Sequence, residues 1–228
     1  GFSDAEATLA TLRTDWDVDF GNGTVTNILG YREYESTTRS DIDALPAYAF
    51  HSGSENEQEQ ISNELRYNGR FYGVADITAG VYYFDQTVKY TEVRNLLGGA
   101  VNMHGGGEQD HTVFGIFGQL DYDFTDKLTG QFGMRYSYEE KGADLYYVIP
   151  NAPCSVVDGT CIPNVSDKDD WSSVTPKLGF QYQWADNTQV YGSYTKGFRS
   201  GGYNFRITNP VLFLEQVAAT GSPAFDQE

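Results

Sequence analysis

The chain has 228 residues, which suits one or two domains of ordinary size. It carries 32 acidic and 15 basic residues, a formal net charge of −17, which argues against nucleic acid as a partner because nucleic-acid-binding surfaces are usually basic. Aromatic residues make up 15% of the sequence, yet the mean hydropathy is −0.48 and no apolar run reaches the length of a membrane helix. If the chain crosses a membrane, it must therefore do so as a β-barrel.

The first part of the chain alternates apolar and polar residues in four segments, a period typical of strands with two unlike faces. The predicted strands are Thr8–Phe20, a return strand that ends at about Tyr34, Ile61–Tyr67, and a fourth strand that begins at Ala75. Asn22-Gly23 and Asn68-Gly69 favour short turns, so they predict two hairpins.

The clearest hairpin is predicted over His111–Lys141, with a turn at Thr125-Asp126-Lys127. One face of both arms is apolar and the other is polar, which suits either a soluble β-sandwich or a transmembrane barrel that is apolar outside and wet inside. The hairpin alone leaves both alternatives open. The predicted cross-strand pairs are Leu120 with Phe132, Ile116 with Tyr136, Phe114 with Tyr138, Gly118 with Met134, and Gly130 with Tyr122.

The last hairpin is predicted from Val174 to about Arg199, with a turn at Ala185-Asp186-Asn187. Short turns thus alternate along the chain with long polar stretches that have no sustained period. These stretches are Glu35–Glu59, Lys89–Asp110 and Gly142–Asp170. Outer-membrane barrels segregate short turns and long loops in this way, and soluble sandwiches do not. Aromatic residues cluster beside the short turns, where an interfacial girdle is expected, so the pattern favours the barrel.

Cys154 and Cys161 lie close together in a turn-rich segment. The intervening Asp158-Gly159 favours a turn that brings their Cα atoms to within about 7 Å, so we expect a disulfide. An oxidised pair fits an exported protein, and the alternative is two free thiols in a flexible loop.

Three groups of segments resemble the barrel of TonB-dependent outer-membrane receptors. The most specific is Ser173–Leu178 followed by Val190–Tyr194 and Lys196–Asn204. The others are Asn63–Arg66 with Gly80–Phe84, and Gly133–Tyr136 with Glu139–Lys141. The family motif residues are Lys196, Gly197, Phe198, Arg199, Ser200, Gly201 and Gly202. Its glycines permit a tight bend, so the motif is expected to shape the end of a strand.

The resemblance implies a barrel of about 22 strands closed by an N-terminal plug, which actively imports a scarce nutrient across the bacterial outer membrane. The nutrient is expected to be a siderophore-iron complex, a corrinoid or an oligosaccharide. Residues 1–228 are then an all-β, antiparallel meander of about eight strands, curved but not closed, with the plug and the remaining strands outside it. The implied partners are outer-membrane lipid, TonB through the missing plug region, and a small ligand such as an iron chelate. No enzymatic activity, cofactor or nucleic-acid partner is expected.

The alternative is a complete small eight-stranded barrel that acts as an adhesin, a structural anchor or an outer-membrane enzyme. A complete barrel is expected to have a signal peptide and a final strand that ends in an aromatic residue. The chain has neither feature, which favours the receptor piece. A soluble sugar-binding β-domain is a third, more distant reading.

The candidate site residues are polar side chains expected to face the inside of the barrel. They are Arg13, Asp15, Arg32, Glu64, Arg66, Asp121, Arg135 and Lys177. They can contact the plug or the substrate, but a ladder of cross-strand pairs that solvates the interior is the favoured interpretation.

In the long stretches, residues expected to meet the substrate first are Tyr48, Phe50, Glu92, Asp144, Tyr146 and Tyr147. Gly105-Gly106-Gly107 lacks the strand, helix and lysine of a phosphate loop and predicts flexibility. The histidines, His51, His104 and His111, have no closely spaced carboxylate or cysteine cluster that predicts a metal site.

Overall fold

The computed structural model describes residues 1–46, 49–150 and 152–228. In these residues eight strands form one antiparallel sheet, and each strand pairs with the next along the chain. The strands are β1 (Phe2–Val18), β2 (Gly23–Asp41), β3 (Phe50–Phe71), β4 (Ala75–Leu96), β5 (Val101–Thr125), β6 (Leu128–Pro150), β7 (Val165–Ala185) and β8 (Thr188–Thr195). Helix α1 (Pro210–Thr220) follows them, and no helix in the described ranges is long and apolar enough to cross a membrane. The prediction of an antiparallel meander of about eight strands is confirmed.

The strands have two unlike faces because the register aligns apolar residues from strand to strand. One such row runs from Leu65 through Val81, Ile116 and Tyr136 to Val174. Every side chain in this row is at least 38% exposed, so no second sheet covers the apolar face. The sandwich alternative is therefore wrong for the described residues, since a sandwich buries such a face.

The central hairpin has the predicted pairing. All five predicted cross-strand pairs are present in the register of β5 and β6, and the turn falls between Thr125 and Leu128. The turn between β7 and β8 also lies where the sequence places it, at Asp186 and Asn187. Sequence periodicity is reliable here because each strand keeps one apolar and one polar face up to the turn.

The long polar stretches are mostly strand rather than loop, contrary to the sequence prediction. Among the described residues, the parts of these stretches outside strands are 42–46 with 49, 97–100 and 152–164. Beyond the apolar rows polar residues stand on both faces of the sheet, so the regular hydrophobic period is lost while the backbone ladder continues. Tyr48 lies outside the described residues.

Three predicted boundaries are also wrong. The second hairpin turns at 72–74 rather than at Asn68-Gly69, because those residues still pair with Thr78 and Ile77 in the β3–β4 ladder. The last strand ends at Thr195 rather than near Arg199. The connection after β1 is a 3₁₀ turn over Phe20–Asn22 rather than a two-residue turn.

Gly105-Gly106-Gly107 does not form a flexible segment, because it is a buried part of β5 at a shift in register. A Cβ atom on Gly106 would lie 1.9 Å from the Tyr90 carbonyl oxygen, and the Gly106 φ angle of +146° favours glycine. A Cβ atom on Gly107 would lie 2.1 Å from Cδ1 of Phe205. The glycines therefore permit a close approach of neighbouring groups.

We predict that Gly106→Ala lowers the free energy of unfolding by on the order of 1–3 kcal/mol, because the new Cβ meets backbone and the φ angle is unfavourable. The matched control is Gly142→Ala in β6, where no atom lies within 4 Å of the new Cβ. We expect it to change stability by less than about 0.5 kcal/mol. Urea unfolding of the two purified variants measures the difference, and equal losses would contradict this role of Gly106.

Candidate functional site

The polar face of the sheet carries the charged residues singled out from the sequence. The register places all eight on the face opposite the apolar rows: Arg13, Asp15, Arg32, Glu64, Arg66, Asp121, Arg135 and Lys177. Across the strands, Asp15 lies opposite Thr26 and Thr26 opposite Arg66. This face is the candidate functional surface because it carries most of the charged and hydrogen-bonding side chains of the strands.

Four of these residues form ion pairs within their own strands rather than across the ladder. Arg13 Nε lies 2.9 Å from Asp15 Oδ2, and Arg66 Nη1 lies 3.1 Å from Glu64 Oε1. Residues two apart share a face, so a long arginine side chain can reach its neighbour. A cross-strand ion pair does occur at the end of the sheet that carries the short turns, where Arg70 Nη2 lies 2.7 Å from Asp123 Oδ2. These exposed pairs solvate the surface and add little stability.

The other four candidates have different partners. Asp121 accepts a hydrogen bond from Gln119 at 2.8 Å, and the Arg32 guanidinium lies 5.4 Å from the centre of the Tyr34 ring. Arg135 Nε donates to Ser137 Oγ at 2.9 Å, and Lys177 Nζ lies 3.4 Å from Gln119 Oε1. Among the described residues, no carboxylate lies within 4.0 Å of the charged groups of Arg135 or Lys177.

Residues 196–209, which we call the strap, fold back from β8 onto the polar face above these charges. Lys141 Nζ donates to Ser200 Oγ at 2.8 Å and to the Gly201 carbonyl at 2.7 Å. Ser200 Oγ in turn donates to Glu139 Oε2 at 2.6 Å, and His111 Nε2 lies 3.0 Å from the same oxygen. This network holds the strap to β5 and β6 by charge-assisted hydrogen bonds.

The family motif makes a close contact between the strap and its surroundings. A Cβ on Gly201 would lie 2.1 Å from the Phe225 carbonyl oxygen and 2.6 Å from the Trp171 ring, and Gly202 pairs with Phe225. Ser200 is 8% exposed. The motif begins directly after β8, which ends at Thr195, and it docks the strap; its expected role in shaping the strand end stays a prediction.

A second contact fixes the middle of the strap to β4. Arg206 Nε lies 3.0 Å from Glu92 Oε2, and Arg206 Nη2 donates to the Tyr90 hydroxyl at 2.8 Å. Arg94 Nη2 approaches the other Glu92 oxygen to 2.6 Å, so the buried carboxylate has two cationic partners. The hydrogen bond to Tyr90 and the charge of Glu92 raise the pKa of Arg206. The prediction that Glu92 meets a substrate is wrong in this conformation, because its side chain is only 3% exposed.

The strap also covers the main buried apolar cluster of the described residues. This cluster contains Ala143, Leu145, Tyr203 and Ile207. The Tyr203 hydroxyl donates to Asp167 Oδ2 at 3.0 Å, and burial together with this hydrogen bond raises the pKa of Tyr203. Tyr146, another expected substrate contact, is only 7% exposed. The strap is therefore an integral packed layer over the upper strands.

Sequence reasoning missed both contacts of the strap. Arg206 and Glu92 are far apart in the chain, and neither stands in a period or a motif that indicates the other. The Lys141 contact could have been found in part, because Lys141 and Ser200 both lie in segments that resemble the family. In the described ranges, no group of three His, Cys, Asp or Glu side chains is placed to hold a metal ion.

The cysteine loop lies on the opposite side of the sheet from the strap. Cys154 and Cys161 are joined by a disulfide, with a Cα–Cα distance of 5.0 Å. Inside this loop the backbone N–H groups of Val156 and Val157 donate to Thr91 Oγ1 at 2.9 and 3.1 Å. The disulfide therefore closes a small loop that is hydrogen-bonded to β4.

We predict that neither cysteine reacts with a thiol reagent in denatured, unreduced protein, and that both react after reduction. The matched control is Thr91→Val, which removes the hydroxyl that holds the loop but leaves the bond intact. Mass spectrometry after labelling measures the modified fraction. Full labelling of both cysteines without reductant would contradict the disulfide.

Residues 2–227 match the family described as TonB dependent receptor-like, beta-barrel. The chain belongs to this family. Among solved structures it is similar to the ferric yersiniabactin uptake receptor FyuA from Yersinia pestis, with a TM-score of 0.72 and 16% identity over 89% of this chain and 29% of that one. It is similar to the siderophore receptor PiuA from Acinetobacter baumannii, with a TM-score of 0.67 and 13% identity over 91% and 34%. It is also similar to the ferric-catecholate import receptor Fiu from E. coli K12, with a TM-score of 0.60 and 13% identity over 85% of this chain and 33% of that one.

The chain thus spans about a third of the length of the solved receptors that it matches. Its open sheet is part of a larger transmembrane β-barrel, in which the apolar face points to lipid and the polar face to the interior, which we call the lumen. The match gives no support to the small-barrel alternative of an adhesin or anchor.

We predict that Gly201→Ala loosens the strap, because a Cβ there meets the Phe225 carbonyl and the Trp171 ring. Amide hydrogen exchange over 199–209 should become faster by on the order of tenfold. The control is Gly197→Ala in the same motif, where the new Cβ has no atom within 4 Å and exchange should not change. Unchanged exchange in Gly201→Ala would mean that the strap does not depend on this contact.

Proposed function

We propose that residues 1–228 are part of the barrel domain of an outer-membrane receptor that imports a ferric chelate into a Gram-negative bacterium. The observation that carries this proposal is the family match over 2–227 together with the similarity to three receptors named for ferric yersiniabactin, siderophores and ferric catecholates. A plug region and the remaining strands lie outside the chain in this proposal. Energy arrives through TonB, which engages the plug region.

The edges of the apolar face support an outer-membrane location. Aromatic pairs lie beside the short turns: Phe20 with Phe71, Tyr122 with Phe124, and Tyr182 with Trp184. Tyrosine and tryptophan have an apolar body and a polar tip, so they prefer the boundary between lipid and water. The apolar rows above them contact lipid in this proposal, and the short turns face the periplasm.

The upper polar strands and the strap support the binding step. They project beyond the apolar rows on the side away from the short turns, which is the external side in this orientation. The strap is held on the lumen face, so a ligand that enters the barrel from outside passes along it. Of the nutrients considered, a ferric chelate agrees best with the structural relatives.

The test is uptake of ⁵⁵Fe-labelled chelates by cells that carry the intact gene. Probes of each chemical class, a catecholate, a hydroxamate and a carboxylate chelate, are compared in strains with and without functional TonB. We expect at least one probe to accumulate only when TonB and the intact gene are both present. Equal accumulation in both strains would indicate a passive pore, and labelled cobalamin or oligosaccharide taken up in place of iron would overturn the choice of substrate.

A further inference from the structure

Strand β8 stops pairing with β7 while β7 continues along β6. The β7–β8 ladder runs from Ala185 opposite Thr188 to Lys177 opposite Thr195. Beyond this point β7 stays paired with β6 as far as Val165. The chain that follows Thr195 is present as the strap, so the ladder ends because these residues leave β7.

A proline lies where the ladder ends. The next residue on the β7 side is Pro176, and the next on the β8 side is Lys196, whose N–H donates to the Pro176 carbonyl oxygen at 3.1 Å. In an antiparallel ladder such a pair exchanges two hydrogen bonds, one in each direction. Proline has no N–H, so the bond from residue 176 back to the Lys196 carbonyl cannot form. The ladder thus ends at the position where its next donor is missing.

The proline interrupts this ladder and leaves the other one intact. Successive residues of a strand point their N–H groups to opposite sides, so Thr175 and Lys177 face β6 whereas Pro176 faces β8. Pro176 lies opposite Met134, and the β6–β7 register passes it without a shift. Because a proline removes one ladder hydrogen bond, its placement in an inner strand decides which neighbour loses that bond. At position 176 the loss falls on the strand that leaves the sheet.

Beyond Lys196 the strap runs across the strands on the lumen face. It meets β7, β6, β5 and β4 through these four contacts: Gly201 with Trp171, Ser200 with Lys141, Phe205 with Gly107, and Arg206 with Glu92. Adjacent strands are about 4.8 Å apart, so the strap extends sideways over the sheet and not along β8.

The crossing and a longer β8 exclude each other. If β8 continued in the same register, Ser200 would lie opposite Ser172 of β7 and would share the apolar face of Tyr194. Lys141 lies on the lumen face of β6, two strands and about 10 Å from β8. Its hydrogen bonds to Ser200 and to the Gly201 carbonyl would therefore be lost. The missing donor at position 176 favours the crossing because it weakens the competing ladder.

We propose that Pro176 is a positioning residue that turns the chain from the barrel wall into the lumen. Through its pairing with Lys196 it makes the following residues form the strap and not a longer β8. The proposal does not rest on the transport function, since it concerns only how the wall and the strap are connected. It goes beyond that function because it identifies the residue that sets where the strap begins.

The test separates the proline ring from the missing donor, in the full-length protein that contains this chain. Pro176→Ala restores an N–H at position 176. Replacement of Pro176 by lactic acid, the α-hydroxy analogue of alanine, removes the ring but still supplies no N–H. Pro163→Ala, in the exposed connection before β7, is the control for replacing a proline elsewhere. Amide hydrogen exchange over 199–209 is measured by mass spectrometry under conditions in which its rate reports the population of the undocked strap.

We expect exchange over 199–209 to be about fivefold faster in Pro176→Ala than in the unsubstituted protein, because one added backbone hydrogen bond stabilises the longer β8 against the docked strap. The lactic-acid variant and Pro163→Ala should both exchange at the unsubstituted rate.

Unchanged exchange in Pro176→Ala would overturn the proposal, since the strap would then cross the strands whether or not the donor is present. Equal acceleration in the lactic-acid variant would also overturn it, because the ring and not the missing N–H would then direct the strap. The same acceleration in Pro163→Ala would count against it as well, since it would show a general effect of losing a proline.

Discussion

The structure depends on one constraint, the strict alternation of two faces kept in register across eight strands. A slip of one residue in any ladder would send its apolar side chains to the wet face and its charges to the apolar one. The row from Leu65 to Val174 and the charged row that contains Asp15 and Arg66 are therefore two results of the same register. The family match gives this register its physical meaning, with lipid on one side and water on the other.

On the side of the apolar rows away from the short turns, the alternation of an apolar and a polar face no longer holds. The ladders continue where neither face keeps a regular apolar row, so the strands there are stabilised by backbone hydrogen bonds, local ion pairs and the strap. The strap closes the lumen face of this region with a small apolar cluster and with contacts at Glu139, Lys141 and Glu92. The part of the sheet beyond the apolar rows is thus packed under the strap, whereas the part with the apolar rows has one face toward lipid.

The strands that carry apolar rows could be predicted well from the sequence, and the strand ends beyond those rows could not, for the same physical reason. The pairing of Phe114 with Tyr138 could be predicted because a period of two reports a boundary between unlike environments. The strand at Gly105-Gly106-Gly107 has no such boundary, so its glycines suggested flexibility although close packing requires them. The contact of Arg206 with Glu92 joins distant parts of the chain and leaves no local pattern.

The most direct test of the account is the environment of successive residues along β5. Spin labels are placed singly from Phe114 to Leu120 in the full-length protein reconstituted in lipid vesicles, and their accessibility to oxygen and to a water-soluble nickel complex is measured. We predict strict alternation, with oxygen maxima at Phe114, Ile116 and Leu120 and nickel maxima at Phe117 and Gln119. Equal accessibility of both sets to the nickel complex would contradict the assignment of one face to lipid and the other to water.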